Sequence, residues 1–174
     1  MKVAQFAITV AVAAVVSGVV LQAQSVTDGQ IAAIVVTANQ VDVDAGKVAE
    51  AKGTHSEVKA FGRQMAADHS GVNKQAAALA AKLGLKPEDN PTAQSLKSGG
   101  EANVKKLQAL TGAAFDRAYI DNEVAYHRQV LEALDTTLIP SAQNAELKAL
   151  LEKVRPAFVA HLSHAQAIQK VLAK

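Results

Sequence analysis

Three stretches of this chain place apolar side chains in alternating steps of three and four, a spacing that only a helix brings onto one face. The first reads Val58, Phe61, Met65, His69, Val72, Ala76, Leu79, Leu83. The second reads Ile120, Val124, His127, Leu131, Leu134, Leu138, and the third Leu147, Leu151, Val154, Phe158, His161, Ala165, Ile168, Leu172. At 3.6 residues per turn each set forms one stripe, whereas a strand would scatter it over both faces. A weaker stripe, Ile31, Ile34, Ala38, Val41, Ala45, Val48, adds a fourth helix. Helices that bury such seams against one another form an all-α four-helix bundle. Composition points the same way. Hydrophobic residues make up 49% of the chain but aromatics only 3%. The difference is largely alanine, which favours helix and fills a sheet core poorly.

Local punctuation sets the helix bounds. Thr27-Asp28-Gly29-Gln30 has the spacing of a capping box and opens a first helix that runs to about Gly53. Thr54-His55-Ser56-Glu57 repeats that spacing, and the helix it opens stops at Gly84, a favoured left-handed terminator. Pro87, Pro91 and Gly99-Gly100 interrupt the stretch from Leu85 to Leu110, which reads as a long connection with a short helix around Ala102 to Leu110. Thr111 caps the third helix, which ends before Pro140, and Ser141 or Asn144 opens the fourth, which runs nearly to Lys174. Pro156 falls inside that last helix and frees the carbonyl of Glu152.

Residues 1–25 stand apart. Lys2 is their only charge, an apolar run extends from Val3 to Leu21, and Ala23-Gln24-Ser25 offers the small residues of a cleavage site after Ser25. These are the three parts of a secretory signal. The run also approaches membrane-spanning length, so an uncleaved anchor is the alternative. The bundle then occupies residues 26–174 and is expected in the periplasm. The chain has no cysteine, which removes disulfides, thiolate metal sites, a cysteine nucleophile and covalent haem attachment. A net charge of +2 gives no electrostatic footprint for nucleic acid and no polybasic membrane patch.

Three of the five histidines, His69, His127 and His161, lie on the apolar seams. Each falls near the middle of its helix, which puts all three within roughly 5 Å of one level at 1.5 Å rise per residue. Asp42 is near the middle of the first helix, and Glu123 precedes His127 by four residues on the same face. Imidazoles and carboxylates converging inside a bundle suit a transition-metal ion such as copper, zinc, nickel or iron, or another small ligand. The other reading is a buried hydrogen-bonded layer in a structural or interaction module of the cell envelope, partnered by an envelope protein or a second copy of the chain. A third, a hydrolase or oxidoreductase, would need an open pocket at this layer. No Ser/His/Asp order, glycine-rich phosphate loop or HExxH motif is present, so no catalytic residue is named. Asp68 adjoins His69, but neighbouring helical residues point about 100° apart, so Asp68 is expected to face a groove or solvent. Tyr119 and Tyr126 read as packing at a boundary.

The segments Phe61-Gly-Arg-Gln-Met65-Ala-Ala-Asp68-His69, Phe115-Asp116-Arg-Ala-Tyr119, Glu123-Val-Ala-Tyr126-His127 and Arg155-Pro156-Ala-Phe158-Val-Ala-His161-Leu-Ser-His164-Ala-Gln166 together resemble a bacterial family, domain of unknown function 4142. The resemblance covers roughly residues 27 to 172. It implies an exported protein with a ferritin-like bundle, in which a long connection joins the second and third helices. It implies no established activity, and the family's histidine positions match His69, His127 and His161. A di-iron centre in such a fold needs paired Glu-x-x-His motifs. Here Glu123 and His127 are four apart and no second pair exists, which argues against ferroxidase or oxygenase chemistry.

Overall fold

The computed structural model describes residues 26–174, and the signal segment expected at residues 1–25 lies outside them. Among the described residues five helices follow one another: α1 (Asp28–Lys52), α2 (Ser56–Leu83), α3 (Pro91–Gln108), α4 (Gly112–Ala133) and α5 (Ala145–Leu172). Beyond Ala133 the chain continues through a π-helical stretch, Leu134–Leu138, and a last turn, Ile139–Ser141. None of the described helices is long and apolar enough to cross a membrane.

Capping fixes where the helices begin. At α1 the capping box forms as the sequence predicts: Gln30 N–H donates to Thr27 Oγ1 and Thr27 N–H donates to Gln30 Oε1, both at 3.1 Å. At α5, Asn144 is the cap, its Oδ1 accepting from the N–H groups of Glu146 and Leu147. The second predicted box does not form. His55, not Thr54, caps α2, with its Nδ1 accepting from Glu57 N–H at 3.3 Å. Thr54 is drawn off by Asp116 of α4, whose carboxylate accepts from the backbone N–H groups of Thr54 and His55, both at 2.9 Å, and from the Thr54 hydroxyl. That buried carboxylate ties the α1–α2 turn to the start of α4. At the other end of the bundle Asp28 does the same, accepting from Gln143 and Asn144 N–H at 2.9 Å each.

The connection between α2 and α4 corrects the sequence reading. Instead of a short helix around Ala102 to Leu110, α3 spans 18 residues from Pro91 to Gln108. Pro91 starts this helix rather than breaking it, because its missing N–H falls in the first turn, where no intrahelical partner exists. Asn90 completes the start by accepting from Ala93 N–H at 3.0 Å. Gly99-Gly100 stays helical because α3 packs along α1, where a Cβ at Gly100 would sit 2.6 Å from Val41 Cγ2.

Helices α1 and α2 approach closely through a pair of glycines. A Cβ on Gly46 would lie 2.6 Å from the Gly62 carbonyl oxygen, and one on Gly62 would lie 2.7 Å from the Gly46 carbonyl oxygen. Helices α4 and α5 form the other main pair. Apolar side chains gather in two large clusters and a small third one, Val72, Val154 and Phe158. One large cluster includes Phe61, Met65, Phe115, Tyr119, Ile120 and Ile168, and the other Ile31, Ile34, Leu134, Leu138, Leu147 and Leu151. The seams of α2, α4 and α5 are buried as predicted, apart from half-buried Leu79, Leu83, Leu131 and Leu172. On α1 the buried face is shifted from the predicted stripe: Val41 and Val48 are only half-buried, while Asn39, Asp42 and Val43 are buried.

The glycine contact yields a paired expectation. Gly62→Ala should lower unfolding stability in urea by about 1–3 kcal/mol, the usual cost of forcing an atom into packed backbone. Gly71→Ala, with nothing within 4 Å of its new Cβ, should raise it by about 0.5–1 kcal/mol, the helix-interior gain over glycine.

Candidate metal centre

The middle of the bundle is polar. His69 (α2), His127 (α4), His161 (α5), Glu123 (α4) and Asp42 (α1) are all at most 4% exposed. The imidazole ring centroids form a near-equilateral triangle: 5.6 Å from His69 to His127, 5.2 Å from His69 to His161 and 5.5 Å from His127 to His161. The common level predicted for the three histidines is therefore present.

Each ring has one nitrogen held and one free. The Asn39 amide donates from Nδ2 to the Val35 carbonyl at 2.8 Å, which turns its Oδ1 toward His69. His69 Nδ1–H donates to that oxygen at 2.7 Å, leaving Nε2 as the lone pair. His127 Nδ1–H donates to the Glu123 carbonyl at 3.1 Å, again leaving Nε2. His161 donates from Nε2 to Asp68 Oδ2 at 3.0 Å, leaving Nδ1. These free atoms, His69 Nε2, His127 Nε2 and His161 Nδ1, are buried and have no hydrogen-bond partner among the described residues. The three histidines can each offer a ligand atom such that all lie within 4.8 Å of one another, and so can Asp42, Glu123 and His127. The two groups share His127. Asp42 Oδ2 lies 3.3 Å from His69 Nε2, and Glu123 Oε2 lies 3.5 Å from His127 Nδ1.

Burial controls the protonation of this layer. It pushes His69 down to about 2, helped by the neighbouring His127 and His161, and His127 down to about 4. His161 is also lowered, chiefly by burial, although Asp68 opposes the shift. The imidazoles are therefore neutral, the form that ligates metal. Asp42 is raised to about 8 by burial, and Glu123 is raised well above its ordinary value by burial and by Asp42. Near neutral pH this carboxyl pair retains protons. The Tyr119 hydroxyl, fully buried one turn before Glu123, has no partner among the described residues either and is raised by burial and by the two carboxyls.

Each predicted site residue thus lies in one layer. Asp68 and His69 do not form a dyad. Asp68 is half-exposed and reaches His161 on α5 instead. Tyr119 is deeply buried rather than at a boundary, while half-buried Tyr126 donates to the Ala38 carbonyl at 3.0 Å. Asn39 went unforeseen, although its spacing of three from Asp42 places both on one side of α1. His164 is exposed and packs edge-on to Phe61, apart from the triangle of rings.

The sequence profile of a domain of unknown function, DUF4142, matches residues 18–168, and the chain belongs to that family. No curated protein and no solved structure matches it.

The carboxyl pair sets the pH response of the metal-free protein. The lowered histidines cost stability as pH falls below 6.5, because the unfolded chain then binds protons that the folded rings refuse. The raised carboxyls act oppositely: Asp42 holds a proton in the folded state up to about 8, whereas the unfolded chain releases it near 4. Above about pH 7.5 the histidines are neutral in both states, so only the carboxyls respond. Stability should fall as pH rises from about 7.5 through 8, by about 1.4 kcal/mol per pH unit for each proton still held. Urea titrations across that window in a chelator check this, and a flat or rising profile would contradict it.

Proposed function

We propose that this DUF4142 protein binds a single transition-metal ion at mid-bundle through His69 Nε2, His127 Nε2 and His161 Nδ1, with Asp42 as fourth ligand and Glu123 as its anionic neighbour. The observation that carries this reading is the set of three buried, unpartnered ring nitrogens, each on a histidine whose other nitrogen is fixed. Metal-bound histidines characteristically donate their second nitrogen to a carbonyl or carboxylate, which orients the ring and sets its tautomer. Asn39, the Glu123 carbonyl and Asp68 supply those acceptors here. Left without a partner, each buried polar atom costs about 1–3 kcal/mol. A cation would convert several such costs at once into bonds.

Neutral imidazoles with one or two carboxylates form a nitrogen–oxygen donor set suited to copper, zinc, nickel or iron. The half-exposed Asp68 is the one acceptor of the three that lies at the surface. The role we assign is binding and holding the ion in the periplasm, after export directed by the N-terminal segment. Four long helices, with α3 in the connection between α2 and α4, support a ferritin-like origin without its paired di-iron ligands.

Calorimetric titration of the metal-free domain with each ion tests the reading. About one ion per chain is expected, with release of about one to two protons near pH 7 as the carboxyls ionise. The doubly substituted His69→Ala/His127→Ala domain should lose this binding while keeping its helical circular dichroism. Binding unchanged in that folded variant, or none by the native domain, would overturn the proposal. Glu123→Gln should separate stability from affinity. It should make the metal-free domain more stable at pH 8 and weaken metal binding by about 10- to 100-fold.

A further inference from the structure

Beside the imidazole layer, toward the Leu134–Leu138 stretch, a cavity of about 200 Å³ lies between α1, α3, α4 and α5, with Val72 of α2 also in its wall. Its inner end is made by Asn39, which accepts from His69, and by Phe158, whose ring centroid is 5.0 Å from that of His69. Its walls are aliphatic, with Ile34, Leu134, Leu138 and Leu151 among them. Thr92 of α3 and Gln129 of α4 line it as well and are exposed, so they mark its mouth.

We infer that this cavity is a binding site for a small, uncharged aromatic molecule. Three observations define that class. Among the lining residues there is no Asp, Glu, Lys, Arg or His. A charged ligand would therefore lose its water without gaining a counter-charge. The polar groups within are few and mostly committed. Asn39 donates to Val35 and accepts from His69, and Tyr126 donates its hydroxyl proton to the Ala38 carbonyl. The Tyr126 oxygen can still accept, so a ligand carrying one N–H or O–H donor fits better than one carrying an acceptor. Size completes the case. An apolar cavity of about 150 Å³ takes benzene, and the larger space here takes a substituted or fused ring. The wall on the α4 side includes a π-helical stretch, a feature frequent at functional sites. It falls directly before Pro140, whose ring would press on the Thr136 carbonyl in a tight α-turn.

This site does not depend on the metal centre, and its test uses metal-free protein so that the two readings fail separately. Indole is the probe: an uncharged fused ring with one N–H donor. The chain has no tryptophan, so indole fluorescence excited on the red edge, where its two tyrosines do not absorb, reports the ligand alone. Saturable binding is expected, with a shift of the His69 ring resonances because the occupant lies against Asn39 and Phe158. Ala133→Leu on α4 and Thr92→Leu on α3 each fill or block the cavity and should weaken binding at least about tenfold. They lie on different helices, so misfolding of one leaves the other informative. Indole-3-carboxylate, which is charged, should bind at least about tenfold more weakly than indole. Failure of indole to saturate the native domain, equal binding by both folded variants, or equal affinity for the carboxylate would each overturn the inference.

Discussion

The burial of three imidazoles and two carboxyls at one level of a helical bundle is the constraint on which the rest of the structure depends. Low-dielectric surroundings keep the rings neutral and the acids protonated, and the layer still leaves polar atoms unpaired. Apolar residues of similar volume at these positions would usually give a more stable protein. Under the proposed reading, the layer is a concession of stability that a bound cation would reverse. Such binding would draw the lone pairs together, displace protons from Asp42 and Glu123, and turn a poorly solvated layer into a coordinated one.

Several features far from the layer serve to hold it. Gly46 and Gly62 let α1 and α2 come close enough for Asn39 and Asp42 to reach His69. The Asp116 clamp fastens the α1–α2 turn to the start of α4, and the Asp28 clamp fastens the start of α1 to the turn before α5. With both ends fixed, the levels of His69, His127 and His161 are set by helix rise alone. Helix α3 then packs along α1 and forms one wall of the apolar cavity below the rings.

Much of this was legible in the residues. Apolar steps of three and four located all four long helices, and the mid-helix positions of the histidines were enough to predict a common level. What escaped was information held in partners distant along the chain. Pro91 and Gly99-Gly100 read as breakers, because the roles of a first-turn proline and of a glycine pressed against Val41 appear only once α3 is docked. Thr54 had the right spacing for a cap, but Asp116, 62 residues away, competes for it. Asn39 sat in the weakest stripe, and its function lies in fixing the tautomer of a ring on another helix. Asp68 was correctly turned away from His69, yet its partner His161 is 93 residues distant.

The most direct measurement is X-ray absorption spectroscopy on the domain loaded with about one equivalent of zinc or copper. The expected spectrum shows about three imidazole nitrogens near 2.0–2.1 Å with one oxygen at similar distance, and it loses the imidazole multiple-scattering features in the folded His69→Ala/His127→Ala variant. A spectrum of oxygen ligands alone, or imidazole features that survive in that variant, would place the ion elsewhere and leave the layer as a structural feature of the core.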